Sequence, residues 1–362
     1  MGPVAGPAAG TAPVRPTALW LVPVSALGGV ARHVLDVVRS GLPGWRLVVL
    51  CPPGRLVEEV RAAGGAAVAV PFGPSHGLPA SVRSLRRTIE RLRPAVVHSH
   101  LSYADIVAAL ATPRGVALVT TEHGIAADDG VYHGSSAKSA LMARVHQARL
   151  RRFDAVVAVS EATRRIMAAK WHPRQEVQVI PNGVDPVARP PRPAPGLRVL
   201  SLARLAPEKR LGELVDAFTL VARDHPRATL TLAGVGGLET DLRRQVATLG
   251  LGARVTLPGY VDAAEALAAA DVLAMLSVWE NCPYAVLDGL VHGTGVVAAP
   301  VGGMPEMLPD TCLADPGDPA AVARALVEQG MDLDTRPKVP AGWPTVGDMA
   351  AAISEVYAMA LR

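Results

Sequence analysis

The chain has 362 residues, of which 50% are hydrophobic and 19% are charged. At about 150 residues per domain, this length predicts two hydrophobic cores and excludes a single small module. The 36 basic and 32 acidic side chains give a net charge of +4 and are mixed along the sequence. A nucleic-acid-binding protein that depends on a cationic tract is therefore not expected.

Residues 1–16 are rich in Gly, Ala and Pro and are expected to form a disordered tail. From Ala18 onward, short Val- and Leu-rich runs alternate with longer segments of helical period, which predicts repeated β-α-β units. In the first half, strands are predicted near residues 18–24, 46–51, 66–71, 95–99, 116–121, 154–159 and 176–180. Residues 81–93 form an amphipathic helix in this interpretation, with apolar residues on one face and arginines on the others. Such a helix covers a parallel sheet.

The Pro-rich segment 186–196 is predicted to be an interdomain linker, because its five prolines lack amide donors and favour extended backbone. The alternation then restarts, with strands predicted near residues 197–202, 228–233, 254–257, 271–275 and 295–299. A last helix, at about 345–361, could pack on either domain. The predicted fold class is α/β, with two Rossmann-like, doubly wound domains that face each other across a cleft. In such sheets, ligands bind at the carboxyl ends of the strands.

The three cysteines, Cys51, Cys282 and Cys312, cannot all pair internally and lack C-x-x-C spacing, which favours a reducing compartment. No uncharged apolar stretch reaches 18 residues, so no membrane span is predicted. The basic helices at 81–93 and 144–152 could contact an anionic membrane surface, although a solvated helix face is the simpler explanation. The expectation is a cytoplasmic protein with at most peripheral contact at the inner membrane face.

Two common catalytic or cofactor signatures are present only in incomplete form. Residues 234–239 (GVGGLE) follow a predicted strand but end in Glu where a dinucleotide-binding motif needs Gly. Residues 73–77 (GPSHG) match the nucleophile elbow of serine hydrolases, but Pro74 is awkward in that tight turn. A hydrolase that uses Ser75 is therefore kept as a distant alternative.

Two pairs of possible metal ligands have spacings or positions that do not favour a metal site. His98 and His100 are interpreted as pointing to opposite faces of a strand end, one buried and one lining the cleft, so that they cannot share a metal ion. Asp332 and Asp334 match a D-x-D metal motif but lie in a polar C-terminal loop away from every predicted strand end. No metal site and no cofactor are predicted.

The strongest constellation lies in the second half. Arg204 and Lys209 stand between a predicted strand and a predicted helix, and a guanidinium, an ammonium and a helix N-terminus together suit a diphosphate. Glu280 ends another strand, and Asp288 lies eight residues later in a helix that is predicted to begin at Pro283. The two carboxylates could engage different hydroxyl groups of one polyol ligand.

Segments with recognisable motifs occur in a fixed order along nearly the whole chain. They are GGVARH at 28–33, VVHSH at 96–100, TTEHG at 120–124, AVSE at 158–161, IPNGVD at 180–185, ARLAPEK at 203–209, LAGVGG at 232–237, the E-x7-E-like segment 280–288 and VGGMPE at 301–306, where a glycine turn offers free backbone amides. In these segments the chain resembles the retaining, nucleotide-sugar-dependent glycosyltransferases of the GT-B fold, family 4. The resemblance implies that residues 17–185, with a helix at 345–362, bind the acceptor and that residues 197–344 bind the nucleotide sugar.

The resemblance also implies roles for particular residues. Arg204 and Lys209 would bind the donor diphosphate, which the amides of Gly28 and Gly29 would approach from the other domain. His123 would lie over the donor sugar near the reacting centre. Glu280 and the backbone amides of three nearby residues would hold the sugar hydroxyls: Asn281, Cys282 and Tyr284.

Two further implied contacts concern the nucleoside. Residues 259–262, with Tyr260 and Val261, would lie beside the nucleobase. The resemblance does not indicate whether this base is uracil or guanine. The carboxylate that usually binds the ribose diol is a glutamate, whereas this chain has Asp288, which is one methylene shorter. The ribose contact is then expected to be longer or bridged by water.

The implied reaction is transfer of a hexose from a UDP- or GDP-sugar to an acceptor hydroxyl with retention at the anomeric carbon. Catalysis would depend on positioning and charge stabilisation by His123, Glu280, Arg204 and Lys209, without a protein nucleophile or a metal ion. Cell-surface polysaccharide, glycolipid and natural-product acceptors all fit, and they would be recognised by loops near 73–79 and 124–136. A sugar-nucleotide 2-epimerase of the same fold is the nearest alternative, and a non-catalytic sugar-binding protein is another. No nucleic-acid partner is expected, and the sequence does not indicate an oligomeric state.

Overall fold

The computed structural model describes residues 15–125, 136–187 and 194–362. Most of the predicted tail, the centre of the predicted linker and residues 126–135 of the expected acceptor-binding region lie outside these ranges. The described residues form two α/β domains, each built on a parallel sheet. The expectation of two doubly wound domains of the GT-B type is confirmed.

The N-terminal domain contains a seven-stranded sheet. Its strands are β1 (Thr17–Leu21), β2 (Arg46–Cys51), β3 (Ala66–Ala69), β4 (Val96–His100), β5 (Ala117–Glu122), β6 (Ala155–Ala158) and β7 (Val177–Val179). They pair in the order β3-β2-β1-β4-β5-β6-β7. The helices are α1 (Gly29–Ser40), α2 (Arg55–Ala62), α3 (Leu78–Leu92), α4 (Ser102–Ala111), α5 (Ser136–Leu150) and α6 (Glu161–Trp171). The strand order reverses direction between β1 and β4, which is where open α/β sheets bind ligands.

The C-terminal domain contains a five-stranded sheet. Its strands are β8 (Arg198–Leu202), β9 (Thr229–Ala233), β10 (Val255–Gly259), β11 (Val272–Met275) and β12 (Gly295–Ala298), in the order β10-β9-β8-β11-β12. Its helices are α7 (Leu211–Asp224), α8 (Glu239–Thr248), α9 (Ala263–Ala269), α10 (Tyr284–His292), α11 (Met304–Met307) and α12 (Pro319–Met331), and a last helix, α13 (Val346–Ala360), follows them in the chain. The sheet again reverses its order in the middle, between β8 and β11.

The last helix, α13, returns to the N-terminal domain. The indole Nε1 of Trp20 on β1 donates a hydrogen bond of 2.6 Å to the hydroxyl of Tyr357, and Trp45 Nε1 donates one of 3.1 Å to Ser354 Oγ. Met349, Ile353 and other apolar residues of α13 join the core on one face of the seven-stranded sheet. The sequence left open whether the last helix packs on the N-terminal or the C-terminal domain. In the structure it packs on the N-terminal domain.

All twelve strands predicted from the apolar runs are present, with shifts at their ends. The first strand ends at Leu21 and not at residue 24, and Pro23, which lacks an amide donor, follows it closely. The helix expected at 81–93 begins earlier, at Leu78, where Pro79 occupies the first turn. Pro283 is the N-cap of α10 and not its first residue.

Candidate active site

Two histidines end strand β4 and lie on the same face of the sheet. The ring centroids of His98 and His100 are 4.5 Å apart, and both side chains are fully buried. The expectation that they point to opposite faces is wrong, because side chains alternate along a strand and residues two apart therefore share a face. One of the two rings was expected to line the cleft, but neither does, because both are fully buried.

His123 follows the neighbouring strand β5 and joins this histidine cluster. Its Nε2 lies 2.9 Å from His100 Nδ1, and its ring centroid lies 4.8 Å from that of His33 on α1. Burial, together with the nearby rings of His33 and His98, lowers the pKa of His123 well below its usual value. His123 therefore acts as a neutral hydrogen-bonding group at neutral pH.

A buried charge cluster supports the loop that carries His123. Glu122 Oε1 accepts a hydrogen bond of 3.2 Å from the amide of Gly124, and Glu122 Oε2 lies 3.3 Å from the Arg149 guanidinium. Arg149, on α5, also forms an ion pair with Asp105 on α4. All three charged side chains are almost fully buried. The sequence predicts Arg149 only as part of a basic helix, and no local pattern indicates this cluster.

The start of α1 offers backbone amides to a ligand. Gly28 is the N-cap and provides no side chain to satisfy the amides of the first turn. A Cβ placed on Gly28 or Gly29 would meet no other atom within 4 Å, so the space in front of this helix end is open. An anion can therefore approach these amides closely, aided by the helix dipole.

Lys209 and Glu280 meet in the C-terminal domain. Lys209 lies in a 3-10 turn after β8, Glu280 follows β11, and these two strands are neighbours in the sheet. Lys209 Nζ donates a hydrogen bond of 2.5 Å to Glu280 Oε1, and both side chains are largely buried. The structure thus brings together two of the residues predicted for the donor site.

Arg204 is more exposed than the diphosphate assignment suggests. Its side chain is 73% exposed, and its Nη2 donates a hydrogen bond of 2.6 Å to Glu208 Oε1. The amide of Val278 donates to the carbonyl oxygen of Glu208 at 2.8 Å, which connects the Arg204 loop to the Glu280 loop. The guanidinium is thus exposed to solvent and paired with Glu208, and it must leave Glu208 to bind a ligand.

Two glycines allow these loops to pack closely. A Cβ on Gly234 would lie 1.8 Å from the carbonyl oxygen of Ala203, and one on Gly303 would lie 1.9 Å from that of Asn281. Gly303 also donates its amide to the carbonyl oxygen of Glu280 at 3.0 Å. The expectation that the turn at 302–303 offers free amides is therefore wrong for Gly303, whose amide holds the Glu280 loop in place.

The residues after Glu280 contact the N-terminal domain. Asn281 Oδ1 accepts a hydrogen bond of 2.7 Å from Thr163 Oγ1 on α6, and the carbonyl oxygen of Cys282 accepts one of 2.7 Å from Asn182 Nδ2. A Cβ on Gly124 would lie 3.9 Å from Asn281 Nδ2, so the His123 loop and the Glu280 loop are neighbours across the domain boundary.

Asp288 also crosses the boundary, in an unexpected pairing. Its carboxylate lies 3.3 Å from the guanidinium of Arg32 on α1, which also binds Asp36 at 2.7 Å and lies over the Tyr284 ring at 5.2 Å. Burial raises the pKa of Asp288, although Arg32 opposes this shift. The hydroxyl of Tyr284 is buried without a hydrogen-bond partner among the described residues.

Glu306, in the VGGMPE segment, completes the contacts between the domains. Its two carboxylate oxygens accept hydrogen bonds from the amides of Glu161 and Ala162 at 2.8 and 2.7 Å, at the N-terminus of α6. A carboxylate is favoured there by the free amides and the helix dipole. This role of Glu306 was not predicted from the sequence.

The remaining candidates make none of the side-chain contacts described above. Tyr260 follows the edge strand β10 and is 67% exposed, while Val261 beside it is partly buried. Ser75 lies on an exposed 3-10 turn and shows no hydrogen bond to a base among the described residues, which argues against the hydrolase alternative. Asp332 caps a short turn by accepting from the amide of Asp334 at 3.0 Å. Within the described parts of the chain, no helix is both long and apolar enough to cross a membrane.

Two family models match successive parts of the chain, Glycosyltransferase Family 4 at residues 27–187 and Glycosyl transferases group 1 at residues 196–329. Glycogen synthase from Mycobacterium tuberculosis is 28% identical over 326 residues, covering 79% of this chain and 78% of that protein. The 2-deoxystreptamine glucosyltransferase of Streptomyces kanamyceticus is 28% identical over 207 residues, covering 51% and 54%.

Solved structures share the fold at lower sequence identity. The structure of Anabaena Alr3699/HepE in complex with UDP-glucose superposes with a TM-score of 0.77 at 21% identity and covers 95% of this chain and 97% of that one. Sucrose-phosphate synthase from Thermosynechococcus elongatus superposes with a TM-score of 0.71 at 19% identity, covering 96% and 97%. The chain belongs to the family 4 glycosyltransferases of the GT-B fold.

Proposed function

We propose that this glycosyltransferase moves a hexose from a nucleoside diphosphate sugar to an acceptor hydroxyl with retention of configuration and without a metal ion. The observation that carries the proposal is the pair of Lys209 and Glu280, two oppositely charged side chains at the carboxyl ends of adjacent strands. An ammonium suits the diphosphate, and a carboxylate suits the hydroxyl groups of the sugar. Their contact holds each group in place before the donor binds, which is the preorganisation that charge stabilisation needs.

The two domains supply different parts of this site. The open amides of Gly28 and Gly29 would meet the diphosphate from one side, with Lys209 and Arg204 on the other. His123 would contact the hexose as a neutral donor or acceptor, since its burial disfavours the imidazolium form. In this arrangement the glycosidic phosphate bond breaks, the acceptor oxygen bonds the anomeric carbon on the same face, and the acceptor proton passes to the departing phosphate oxygen.

UDP-glucose is the first donor to test. One relative is named a glucosyltransferase, and one structure of the same fold is described as a complex with UDP-glucose. Tyr260, exposed beside the end of β10, offers an aromatic face to a nucleobase of either kind. A thermal-shift panel of UDP- and GDP-sugars identifies the donor directly, because a ligand that binds the folded state raises Tm.

The decisive experiment is NMR of the preferred donor with and without a panel of hydroxyl acceptors. The proposal predicts an α-linked product from an α-donor, formed only when an acceptor is present and undiminished in excess EDTA. An epimerised sugar formed from the donor alone would establish the 2-epimerase alternative. Activity lost in EDTA and restored by Mg²⁺ would show that metal independence is wrong and would return attention to Asp332 and Asp334.

A further inference from the structure

Three histidines from separate elements of the N-terminal domain converge. One ring nitrogen from each of His33, His100 and His123 lies within 4.8 Å of the other two. His33 comes from α1, His100 from the end of β4 and His123 from the residue after β5. Nitrogen ligands about 2.0 to 2.1 Å from a Zn²⁺ ion are about 3.3 Å apart in a tetrahedral site, so a small inward movement of the rings would satisfy one ion.

Within the described ranges, two of these three rings have a nitrogen without a hydrogen-bond partner, as is expected of histidines that bind a metal ion. Nε2 of His33 and Nε2 of His100 are buried and have no hydrogen-bond partner among the described residues, although buried polar atoms are normally satisfied. His33 Nδ1 lies 3.2 Å from Asn182 Oδ1. A ring that donates one N–H to an oxygen and keeps the other nitrogen free is the usual state of a metal-binding histidine.

The neighbouring His98 shows the contrast. Its Nδ1 lies 2.6 Å from the hydroxyl of Tyr357 and its Nε2 lies 2.8 Å from Thr121 Oγ1, so both nitrogens are engaged. His98 is therefore a structural histidine, and the unsatisfied ring nitrogens of this cluster belong to His33 and His100.

The protonation states suit metal binding. Asn182 donates a hydrogen bond from Nδ2 to the carbonyl oxygen of Cys282, so its Oδ1 accepts from His33 Nδ1 and the lone pair of the neutral His33 ring lies on Nε2. His100 Nδ1 and His123 Nε2 are 2.9 Å apart and share one proton in a hydrogen bond. If an ion takes the donor nitrogen of this pair, the proton moves to the second nitrogen of the donor ring; if it takes the acceptor nitrogen, the proton stays on the partner ring. In neither case is a net proton lost.

We propose that His33, His100 and His123 form a site for a transition-metal ion that prefers imidazole ligands, such as Zn²⁺, and that occupation of this site inhibits glycosyl transfer. A set of neutral nitrogen ligands without a carboxylate favours Zn²⁺ or Co²⁺ over Mg²⁺. The inhibition rests on the proposed function, in which His123 contacts the donor sugar. A ring bound to an ion is withdrawn from that contact.

The binding test uses the full chain without an affinity tag, stripped with a chelator and then dialysed, with Co²⁺ as the spectroscopic probe. We expect one Co²⁺ per chain with visible d–d absorption, which one equivalent of Zn²⁺ removes. His33→Gln and His100→Gln should each weaken binding by at least about 100-fold, more than loss of an outer partner costs. His76→Gln, on an exposed turn, is the matched control and should bind as the unmodified protein does.

A thermal melt of each variant without metal checks that it is folded, and Zn²⁺ should raise the Tm of the unmodified protein and of His76→Gln only. Absence of Co²⁺ absorption in the unmodified protein would overturn the site. Unchanged affinity in both ligand variants would place the ion elsewhere and overturn it as well.

The inhibition test adds one equivalent of Zn²⁺ to the transfer assay. We expect the rate to fall at least tenfold and to return with EDTA, while the rate of His33→Gln is unchanged by the same Zn²⁺ concentration. If Zn²⁺ binds at these residues and the rate does not fall, the inhibitory role is wrong. If no donor and acceptor pair reacts, the proposed function has failed, and the Co²⁺ measurement still decides whether the metal site exists.

Discussion

The guanidinium of Arg32 lies 3.3 Å from the carboxylate of Asp288, and this contact joins α1 of one domain to α10 of the other. Arg32 also binds Asp36, so a single cation is shared by two carboxylates. The residue assigned to the donor ribose is therefore occupied by a side chain in this structure. A ribose diol that binds Asp288 must share it with Arg32 or displace Arg32.

Asp288→Asn is predicted to raise the KM for the donor about tenfold with little change in kcat. A ribose contact is made equally in the ground state and the transition state, so its loss weakens binding without slowing the chemical step. Asp288→Glu, which restores the missing methylene, is expected to lower KM. Asp36→Asn, which alters Arg32 from the other side, serves as the control, and an equal effect on KM in both variants would show that Asp288 acts only through Arg32.

Lys209→Ala is predicted to lower kcat by about 10² to 10³, which is typical for loss of one preorganised charge contact. Arg204→Ala is predicted to have a smaller effect, because the Arg204 guanidinium is exposed and paired with Glu208. Steady-state kinetics at saturating donor measure this directly. Arg223→Ala, at the opposite end of α7 and exposed, is the control and should retain normal turnover. Near-normal turnover in the Lys209 variant would mean that the diphosphate binds elsewhere.

The sequence was sufficient to predict the strands and part of the site, because these depend on local features. Runs of Val and Leu mark the strands, and the residues that follow β8 and β11 meet because parallel neighbours end at one edge of a sheet. Lys209 and Glu280 could therefore be predicted to act together. His98 and His100 could also have been placed on one face, had the alternation of side chains been applied correctly.

The remaining contacts depend on how the domains and helices are arranged in space. Arg32 and Asp288 are 256 positions apart, and no local pattern links them. Glu306 binds the start of α6 only because the two domains stand in a particular orientation. Arg149 resembles its exposed neighbours in sequence, and its burial follows from where α5 packs.

Glu306→Ala is predicted to loosen the contact between the domains. The substitution leaves two amides at the start of α6 without a partner, and loss of such a cap costs about 0.5 to 2 kcal/mol. We expect a larger radius of gyration in small-angle X-ray scattering and a lower kcat, because the His123 and Glu280 loops would spend less time together. Glu161→Ala, which removes an exposed carboxylate from the same helix turn, is the control. Unchanged scattering in Glu306→Ala would contradict a domain-closing role.

Arg149→Ala is predicted to destabilise the protein by about 3 to 5 kcal/mol, because it leaves the carboxylates of Asp105 and Glu122 buried without a counter-charge. The free energy of unfolding in urea measures this effect. Arg151→Ala, two residues away and exposed, should change stability by less than about 0.5 kcal/mol. A small effect of Arg149→Ala would show that the two carboxylates are protonated or hydrated in the folded protein.

The buried His33 is predicted to make folding stability depend on pH between about 4 and 6.5. Its pKa is lowered to about 4 by burial, against 6.5 for an unperturbed imidazole, so in this range the unfolded chain binds a proton that the folded chain does not. Stability is therefore complete above pH 6.5 and falls as the pH decreases toward 4. One such group contributes a slope of up to about 1.4 kcal/mol per pH unit.

The measurement is urea unfolding at several pH values in the presence of a chelator, which keeps His33 free of metal. His33→Gln removes the titrating group and should make the slope shallower by close to one proton, while His76→Gln, at an exposed position, should leave it unchanged. His98, His100 and His123 have lowered pKa values for the same reason and keep part of the pH dependence in the variant. An identical slope in His33→Gln and the unmodified protein would mean that this ring is protonated, or accessible to water, in the folded state.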